Sequence, residues 1–206
     1  MKIIDCIQGS PEWKVARLGI PTASEFSRLV TSMGERSKSL EPYARELASE
    51  IFADKTMSDF DGNMWSDRGR DLEQAAIELY EFTHDCVVQR VGFITTDDGL
   101  TGGSPDGLLG DDAGIEVKCL KAERHLDVLQ KYQATGKTPP DYVAQVQGYM
   151  YVTGRSRWVL MLHHPDLPPI KISVAADPYF HKALAAGVAA VIAERDAVLA
   201  SLRGTT

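Results

Sequence analysis

The chain has 206 residues, of which 44% are hydrophobic and 25% charged, and its formal net charge is −7. This length and composition predict one ordinary globular domain, residues 1–206, whose core needs no disulfide or structural metal. No apolar run is long enough to cross a bilayer and no secretory pattern opens the chain, so we expect a cytoplasmic protein with no membrane partner. Cys6, Cys86 and Cys119 lack the spacing of a zinc site, and we expect free, mostly buried thiols.

The net charge argues at first sight against a nucleic-acid partner, because contacts to phosphate need Lys and Arg. Global charge does not fix local charge, however. A site that gathers carboxylates around metal ions is neutralised by those ions. The acidic composition therefore leaves a DNA-binding function open.

The first half of the chain favours helices. Residues 22–25 have the form of a capping box, so we expect a helix to begin near Thr22. A polar loop at 33–40 precedes a second helix at 42–52, and a turn-rich gap follows at 54–63. A long helix should then begin at Trp65, with an apolar stripe of Leu72, Ala75, Ala76, Leu79 and Phe82, and with Glu73, Ile77 and Tyr80 on the adjoining face.

The second half mixes strands and helices. Strand patterns lie at residues 87–91, 93–96, 114–119, 157–162 and 170–174, with a hairpin signal at Asp98-Gly99. Helical patterns lie at residues 126–132, 143–152 and 178–203. The apolar stripe of the last helix should cover the sheet or a partner subunit. We therefore predict an α/β fold in which a β-meander belongs to a mixed central β-sheet flanked by helices.

The sharpest chemical feature is an SPDG turn that carries Asp106, followed by an IEVK strand. In a strand, Glu116 and Lys118 project from the same face, while their apolar neighbours project from the other. A hairpin can bring Asp106 to Glu116. Two carboxylates, with the Val117 carbonyl and water, suit Mg²⁺. Lys118 can then orient the attacking water or help to deprotonate it.

An exposed turn and a surface strand would contain the same residue types. Three features favour a site over this plainer interpretation. A strand that should be half buried carries a charged pair, Glu73 on the preceding helix offers another carboxylate, and Gln145 and Gln147 lie on the following helix. We therefore predict a metal-dependent phosphodiesterase site.

Four further sequence motifs follow one another along the chain. They are Trp13, Arg17 and Gly19 with residues 22–24; residues 72–76 with 79–82; residues 104–108 with 116–119; and residues 142–147 with Met150. Together they resemble the phage lambda exonuclease or YqaJ-like viral recombinase family of alkaline exonucleases, within the PD-(D/E)XK nuclease superfamily. The resemblance runs across most of the chain and implies a PD-(D/E)XK nuclease-like core.

The resemblance also implies roles for individual residues at the metal site. Asp106 and Glu116 would be direct metal ligands. Glu73 would hold water beside the ion, or a second ion. Lys118 would be the general base or would orient water. Gln145, in preference to the glutamine two residues later, would hydrogen bond within the site.

A second group of residues resembles a pocket for the terminal 5′ phosphate of a DNA strand. Arg17, Thr22 and Ser24 would grip that phosphate, because a guanidinium and the hydroxyls at a helix start are good anion ligands. Trp13 would support the pocket or stack near it, although a core tryptophan is an equally good interpretation. Anchoring the strand end would make the enzyme an exonuclease.

The resemblance implies a toroidal homotrimer that binds double-stranded DNA ends. It would digest one strand from 5′ to 3′, releasing 5′-mononucleotides and leaving a 3′ single strand for a partner annealing protein. Mg²⁺ is the expected ion, with Mn²⁺ as the substitute. Two alternatives stay open: a PD-(D/E)XK endonuclease or repair nuclease of other specificity, and a non-catalytic DNA-end-binding scaffold for recombination.

Overall fold

The computed structural model describes residues 1–56 and 64–203, so most of the predicted turn-rich gap lies outside the described residues. The helices are α1 (Pro11–Arg17), α2 (Leu40–Ala53), α3 (Met64–His84), α4 (Ala122–Thr135), α5 (Pro140–Thr153) and α6 (Pro178–Arg203), with a 3₁₀ helix at Ala23–Arg28. The strands are β1 (Lys2–Ile4), β2 (Val88–Gln89), β3 (Phe93–Thr95), β4 (Gly102–Gly103), β5 (Gly107–Leu109), β6 (Ala113–Cys119), β7 (Arg157–His163) and β8 (Ile170–Ala175). Among the described helices, none has the length and apolar character to cross a membrane.

The strands form two sheets. One is three-stranded in the order β1-β3-β4, and the other is five-stranded and mixed, in the order β2-β5-β6-β7-β8. β6 and β7 run parallel, and α4 and α5 make the connection between them. The predicted mixed α/β fold is confirmed. The prediction of one β-meander is wrong, because its strands belong to two sheets. The Asp98-Gly99 turn joins β3 to β4 in the small sheet, while β5 pairs with β6 in the large one.

The helix α3 buries only part of the predicted stripe: Ala76 is buried, but the buried face continues through the adjoining residues and not through the rest of the stripe. Ile77 and Tyr80 are buried against β6 and β7, whereas Leu79 is 36% exposed and Phe82 is 88% exposed. Residues three or four positions apart share one face of a helix, so Glu73 lies on the buried face with Ile77 and Tyr80. The predicted grouping of Glu73 with Ile77 and Tyr80 therefore agrees with the face that α3 turns towards the sheet.

The opposite face of the large sheet carries the main core. Buried residues of β7 pack there with α2, α5, α6 and the 3₁₀ helix. Phe180, Leu184, Val188 and Val191 of the α6 stripe belong to this core, so this part of the stripe lies against the protein's own helices and sheet. An intrachain core face is therefore sufficient to explain its apolar character.

Two local predictions need correction. The helix expected at Thr22 is a 3₁₀ helix, and the Thr22 side chain makes no capping hydrogen bond, so the predicted capping box does not form. The three cysteines are free as predicted, but they are half-buried rather than buried.

Candidate active site

The candidate site lies in the large sheet beside β6, at the point where β5 begins. β5 pairs with β6 only as far as Ile115, so β6 continues with a free edge beyond that residue. Asp106 immediately precedes β5, and its Oδ2 accepts a hydrogen bond of 2.6 Å from the Val117 N–H. The turn therefore places the Asp106 carboxylate beside the strand that carries Glu116, as the sequence predicts.

Glu116 is the centre of a buried polar network. The Lys118 Nζ lies 2.8 Å from Glu116 Oε1, and Gln145 Nε2 donates to the same oxygen at 2.7 Å. Gln145 Nε2 also lies 3.0 Å from the hydroxyl of Tyr149. Among the described residues, the buried Glu116 Oε2 has no hydrogen-bond partner. One oxygen of Glu116 is thus held by the protein, while the other is available to a ligand.

The electrostatics of this cluster favour a bound cation. Burial raises the pKa of Asp106 well above its usual value, and the charges of Glu116 and Glu73 raise it further. Burial also raises the pKa of Glu116, although Lys118 opposes this effect. Burial alone would lower the pKa of Lys118, but the Glu116 carboxylate outweighs it, and the pKa of Lys118 is raised. A divalent ion would relieve the repulsion between the carboxylates.

Glu73 is linked to the Asp106 turn by a residue that sequence reasoning missed. Arg90 Nη1 lies 3.4 Å from Glu73 Oε1 and donates to the Asp106 carbonyl at 2.9 Å. Arg90 therefore connects α3 to the turn. The available signal was weak: a single charged residue in a predicted strand, two positions after the buried Val88.

The donor set that the described residues provide at this site fits a hydrated Mg²⁺ and not an ion held by protein side chains alone. In the part of the chain that the structure describes, no three His, Cys, Asp or Glu side chains converge closely enough to hold an ion by themselves. Mg²⁺ keeps several waters and is bound in proteins by one or two carboxylates. Asp106 and the unpartnered Oε2 of Glu116 supply such a pair, so the residues present fit a hydrated Mg²⁺.

Arg17 and Trp13 form a second group of predicted residues, at the end of α1. The Arg17 guanidinium lies over the Trp13 ring at 4.3 Å from its centroid. Trp13 is buried, and its Nε1 donates to Ser104 Oγ at 2.6 Å. Trp13 is therefore both a core residue and the support of Arg17, and Ser104 connects it to the Asp106 turn.

The two predicted hydroxyls occupy different environments. Thr22 is buried, its N–H donates to the Tyr43 hydroxyl at 3.2 Å, and its Oγ1 lies 3.3 Å from Ser24 Oγ. Ser24 is exposed. Ser24 is thus accessible to solvent, whereas Thr22 is buried and contacts Ser24 through its hydroxyl.

Residues 12–156 match the family model described as the YqaJ-like viral recombinase domain. The chain belongs to the YqaJ-like viral recombinase family. The match contains both groups of predicted site residues and ends before β7. The comparison with curated proteins finds no match.

Solved structures of exonucleases resemble this recombinase-family chain. An alkaline exonuclease (LHK-Exo) from Laribacter hongkongensis is 29% identical, with a TM-score of 0.82 over 95% of this chain and 97% of that chain. The same enzyme in complex with dAMP is 28% identical, with a TM-score of 0.81 and the same coverage. A phage-related exonuclease from Haemophilus somnus, 16% identical, has a TM-score of 0.67 over 89% of this chain and 96% of that chain, and it supports the fold alone.

The helix α5 of the recombinase-family domain distinguishes between the two candidate glutamines. Gln147 is buried away from the carboxylates, where its Nε2 donates to the Ala175 carbonyl at 2.8 Å and its Oε1 accepts from the Asp177 N–H at 3.0 Å. Gln145 contacts Glu116 instead. Sequence reasoning also missed Tyr149, whose hydroxyl donates to the Ser104 carbonyl at 3.1 Å.

Proposed function

We propose that this protein is a Mg²⁺-dependent exonuclease that digests one strand of linear double-stranded DNA from 5′ to 3′ and releases 5′-mononucleotides. The observation that carries the proposal is the buried Glu116 carboxylate. Lys118 and Gln145 hold its Oε1, while Oε2 has no partner among the described residues and lies in the cluster that includes Asp106. Such an arrangement suits metal-assisted phosphodiester hydrolysis.

Asp106, Glu116 and the Val117 carbonyl would hold the ion. The N–H and C=O of one strand residue point to the same side of the strand. Because the Val117 N–H donates to Asp106, the Val117 carbonyl also faces the free edge of β6. Mn²⁺ accepts the same oxygen ligands and would substitute for Mg²⁺.

The bound Mg²⁺ would polarise the scissile phosphate and offset the negative charge that develops on it. Lys118, fixed by its 2.8 Å contact with Glu116, would position the attacking water. Its raised pKa favours the ammonium form, which suits orienting water and offsetting charge better than accepting a proton. Gln145 would keep Glu116 in place, and Glu73 would hold water beside Asp106 or a second ion.

Arg17 and Ser24 would bind the 5′ phosphate of the strand end, with Trp13 and Thr22 as their supports. A guanidinium stacked on an indole is held in one orientation and keeps its donors for an anion. Fixing the terminal phosphate would direct cleavage to the strand end. The related Laribacter hongkongensis exonuclease was crystallised with dAMP, a 5′-mononucleotide of the kind this reaction would release.

We further propose that the protein works as a homotrimer and with a single-strand annealing protein. The remaining 3′ single strand would pass to a single-strand annealing protein, as membership of a viral recombinase family favours. A homotrimeric ring around the duplex would keep the enzyme on its substrate. Light scattering of the purified protein, with and without linear DNA, would measure the number of subunits.

The test compares linear duplexes that carry 5′-phosphate or 5′-hydroxyl ends, and circular duplexes, in Mg²⁺ and in EDTA. We expect Mg²⁺-dependent release of mononucleotides, faster from phosphorylated ends. Lys118→Ala should slow the reaction by about 10²-fold or more, the effect of removing a group that stabilises developing charge. Lys121→Ala, at an exposed lysine just after β6, is the matched control and should leave the rate unchanged.

Other outcomes identify other functions. Equal cutting of circular and linear DNA would indicate an endonuclease. Tight binding to DNA ends without cleavage in Mg²⁺ or Mn²⁺ would indicate a recombination scaffold. Cleavage that persists in Lys118→Ala would refute the assigned site.

A further inference from the structure

Both peptide groups of Gly19 are held by charged side chains from distant helices. The Gly19 N–H donates to Glu50 Oε2 of α2 at 3.0 Å, and the Gly19 carbonyl accepts from Arg195 Nη1 of α6 at 2.7 Å. Glu50 is buried, with 7% of its surface exposed, and the Arg195 side chain is 13% exposed. Asp196 fixes the Arg195 guanidinium from the other side at 2.9 Å. Glu50 and Arg195 thus hold a single glycine from two sides, and we call this pair of residues the clamp.

The clamp acts on a segment that joins the proposed phosphate ligands. Gly19 follows Arg17 by two residues, and its φ of +64° sets a left-handed turn in the chain. Two residues further on, the Pro21 carbonyl accepts from Thr101 Oγ1 at 2.6 Å. With the Thr22 N–H bound to Tyr43, the backbone between the two proposed phosphate ligands is fixed at three residues by contacts from elsewhere in the chain.

The two helices that provide the clamp are fixed relative to one another. α2 and α6 pack together in the main core. Glu50 and Arg17 also line the same small cavity of about 100 Å³, so one of the two residues that hold Gly19 lies close to the proposed phosphate ligand. Arg195 is 176 residues away from Gly19 along the chain, and α6 lies outside the family match at residues 12–156.

We propose that Glu50 and Arg195 are positioning residues for recognition of the 5′ phosphate. By holding both peptide groups of Gly19, they fix the path of the backbone after the end of α1. This path sets the distance between Arg17 and Ser24. A binding group must be held to within a fraction of an ångström to act at full strength. The inference rests on the proposed function of Arg17 and Ser24, and it gives α6 a part in strand-end recognition.

The test measures the ratio of initial rates on 5′-phosphate and 5′-hydroxyl ends in variants of the clamp. Arg195→Met removes the donors and keeps the aliphatic stem, and Glu50→Leu removes the acceptor. Each should lower the ratio about tenfold, equal to about 1.4 kcal/mol at 25 °C, with a higher KM for phosphorylated ends. Arg195→Lys and Glu50→Gln keep one donor or acceptor and should retain most of the ratio. Lys182→Met, at an exposed lysine of α6, is the control and should match the wild type.

The outcomes separate this inference from the proposed function. A wild-type enzyme that cuts both kinds of end equally would refute the phosphate pocket, and the clamp with it. Wild-type discrimination that survives unchanged in Arg195→Met would refute the clamp alone. Equal losses on both kinds of end would show a general structural role and would also refute it. Unfolding of Glu50→Leu, seen in its thermal melt, leaves Arg195→Met and its lysine counterpart to decide.

Discussion

Replacing Asp106 with asparagine should make the metal-free protein more stable while abolishing cleavage. Burial and the charge of Glu116 raise the pKa of Asp106, so the folded protein disfavours its ionised form. Asparagine keeps an oxygen acceptor for the 2.6 Å hydrogen bond from the Val117 N–H, but it carries no charge. The substitution therefore removes repulsion and desolvation without removing the contact that holds the turn.

The expected gain is about 0.5–2 kcal/mol, the range found when a destabilising group is replaced by a compatible one. For a protein of this size the Tm moves by about 2–4 °C per kcal/mol, so the rise in EDTA should be about 1–8 °C. A carboxyl group with a raised pKa in the folded state contributes stability at low pH, and this contribution is lost as the pH rises through the folded pKa. The gain from Asp106→Asn should therefore be larger at alkaline than at mildly acidic pH.

Thermal unfolding of both proteins, in EDTA and in Mg²⁺, measures these effects. Mg²⁺ should raise the Tm of the wild type, increasingly so at higher pH because the ligands must be deprotonated, and should not shift the variant. Asp111→Asn, at an exposed aspartate in the β5–β6 turn, is the control and should change neither melt. A lower Tm for Asp106→Asn in alkaline EDTA would contradict the reasoning.

Two further pairs of variants test the packing around the site. Gly19→Ala should destabilise the protein by about 2–4 kcal/mol in urea unfolding, from a left-handed φ and a clash. The Cβ added at Gly19 would lie 2.3 Å from the Ile51 side chain. Gly154→Ala, at a glycine with φ +74° and open space around it, is the control and should cost about 1 kcal/mol. Equal losses from the two substitutions would exclude the clash as a cause. Gln145→Leu should slow cleavage by about 10–100-fold. Gln147→Leu should instead lower the free energy of unfolding by about 1–3 kcal/mol with kcat unchanged, and the reverse pattern would show that the glutamines are misassigned.

The clustering of Asp106, Glu116 and Lys118 was predictable because its information is local. Alternation along β6 fixes which side chains share a face, and this placed Glu116 with Lys118 and left the apolar residues for the core. The Asp106 turn lies directly before β5, so a hairpin was enough to bring the carboxylates together. The relative positions of residues within one strand or one hairpin depend little on how the rest of the chain folds.

The face of α3 was not predictable from periodicity. The helix has two adjoining apolar stripes, one with Leu79 and Phe82 and the other with Ile77 and Tyr80. A period of 3.6 residues defines both stripes equally well. The sheet buries the second stripe together with Ala76 of the first, and which residues are buried depends on how α3 lies across β6 and β7. No sequence pattern within the helix carries this information.

Polar contacts between residues far apart in the chain could not be predicted from the sequence for a related reason. Arg90 and Glu73 are 17 residues apart, and Arg195 and Gly19 are 176 apart. Neither pair has a spacing that secondary structure would bring together. Each arginine looks like an ordinary solvated residue until the fold places a carbonyl or a carboxylate beside it.

The two halves of the candidate site are joined by a continuous set of contacts. Trp13, which supports Arg17 of the proposed strand-end pocket, donates to the Ser104 side chain at 2.6 Å, and the Ser104 carbonyl accepts from Tyr149 at 3.1 Å. Gln145 bridges the Tyr149 hydroxyl and the Glu116 carboxylate. A 5′ phosphate bound beside Trp13 would therefore lie at a set distance from the ion beside Glu116. A rigid spacing of this kind would fix which phosphodiester is cut, and so the length of the released product, without any contact to the bases.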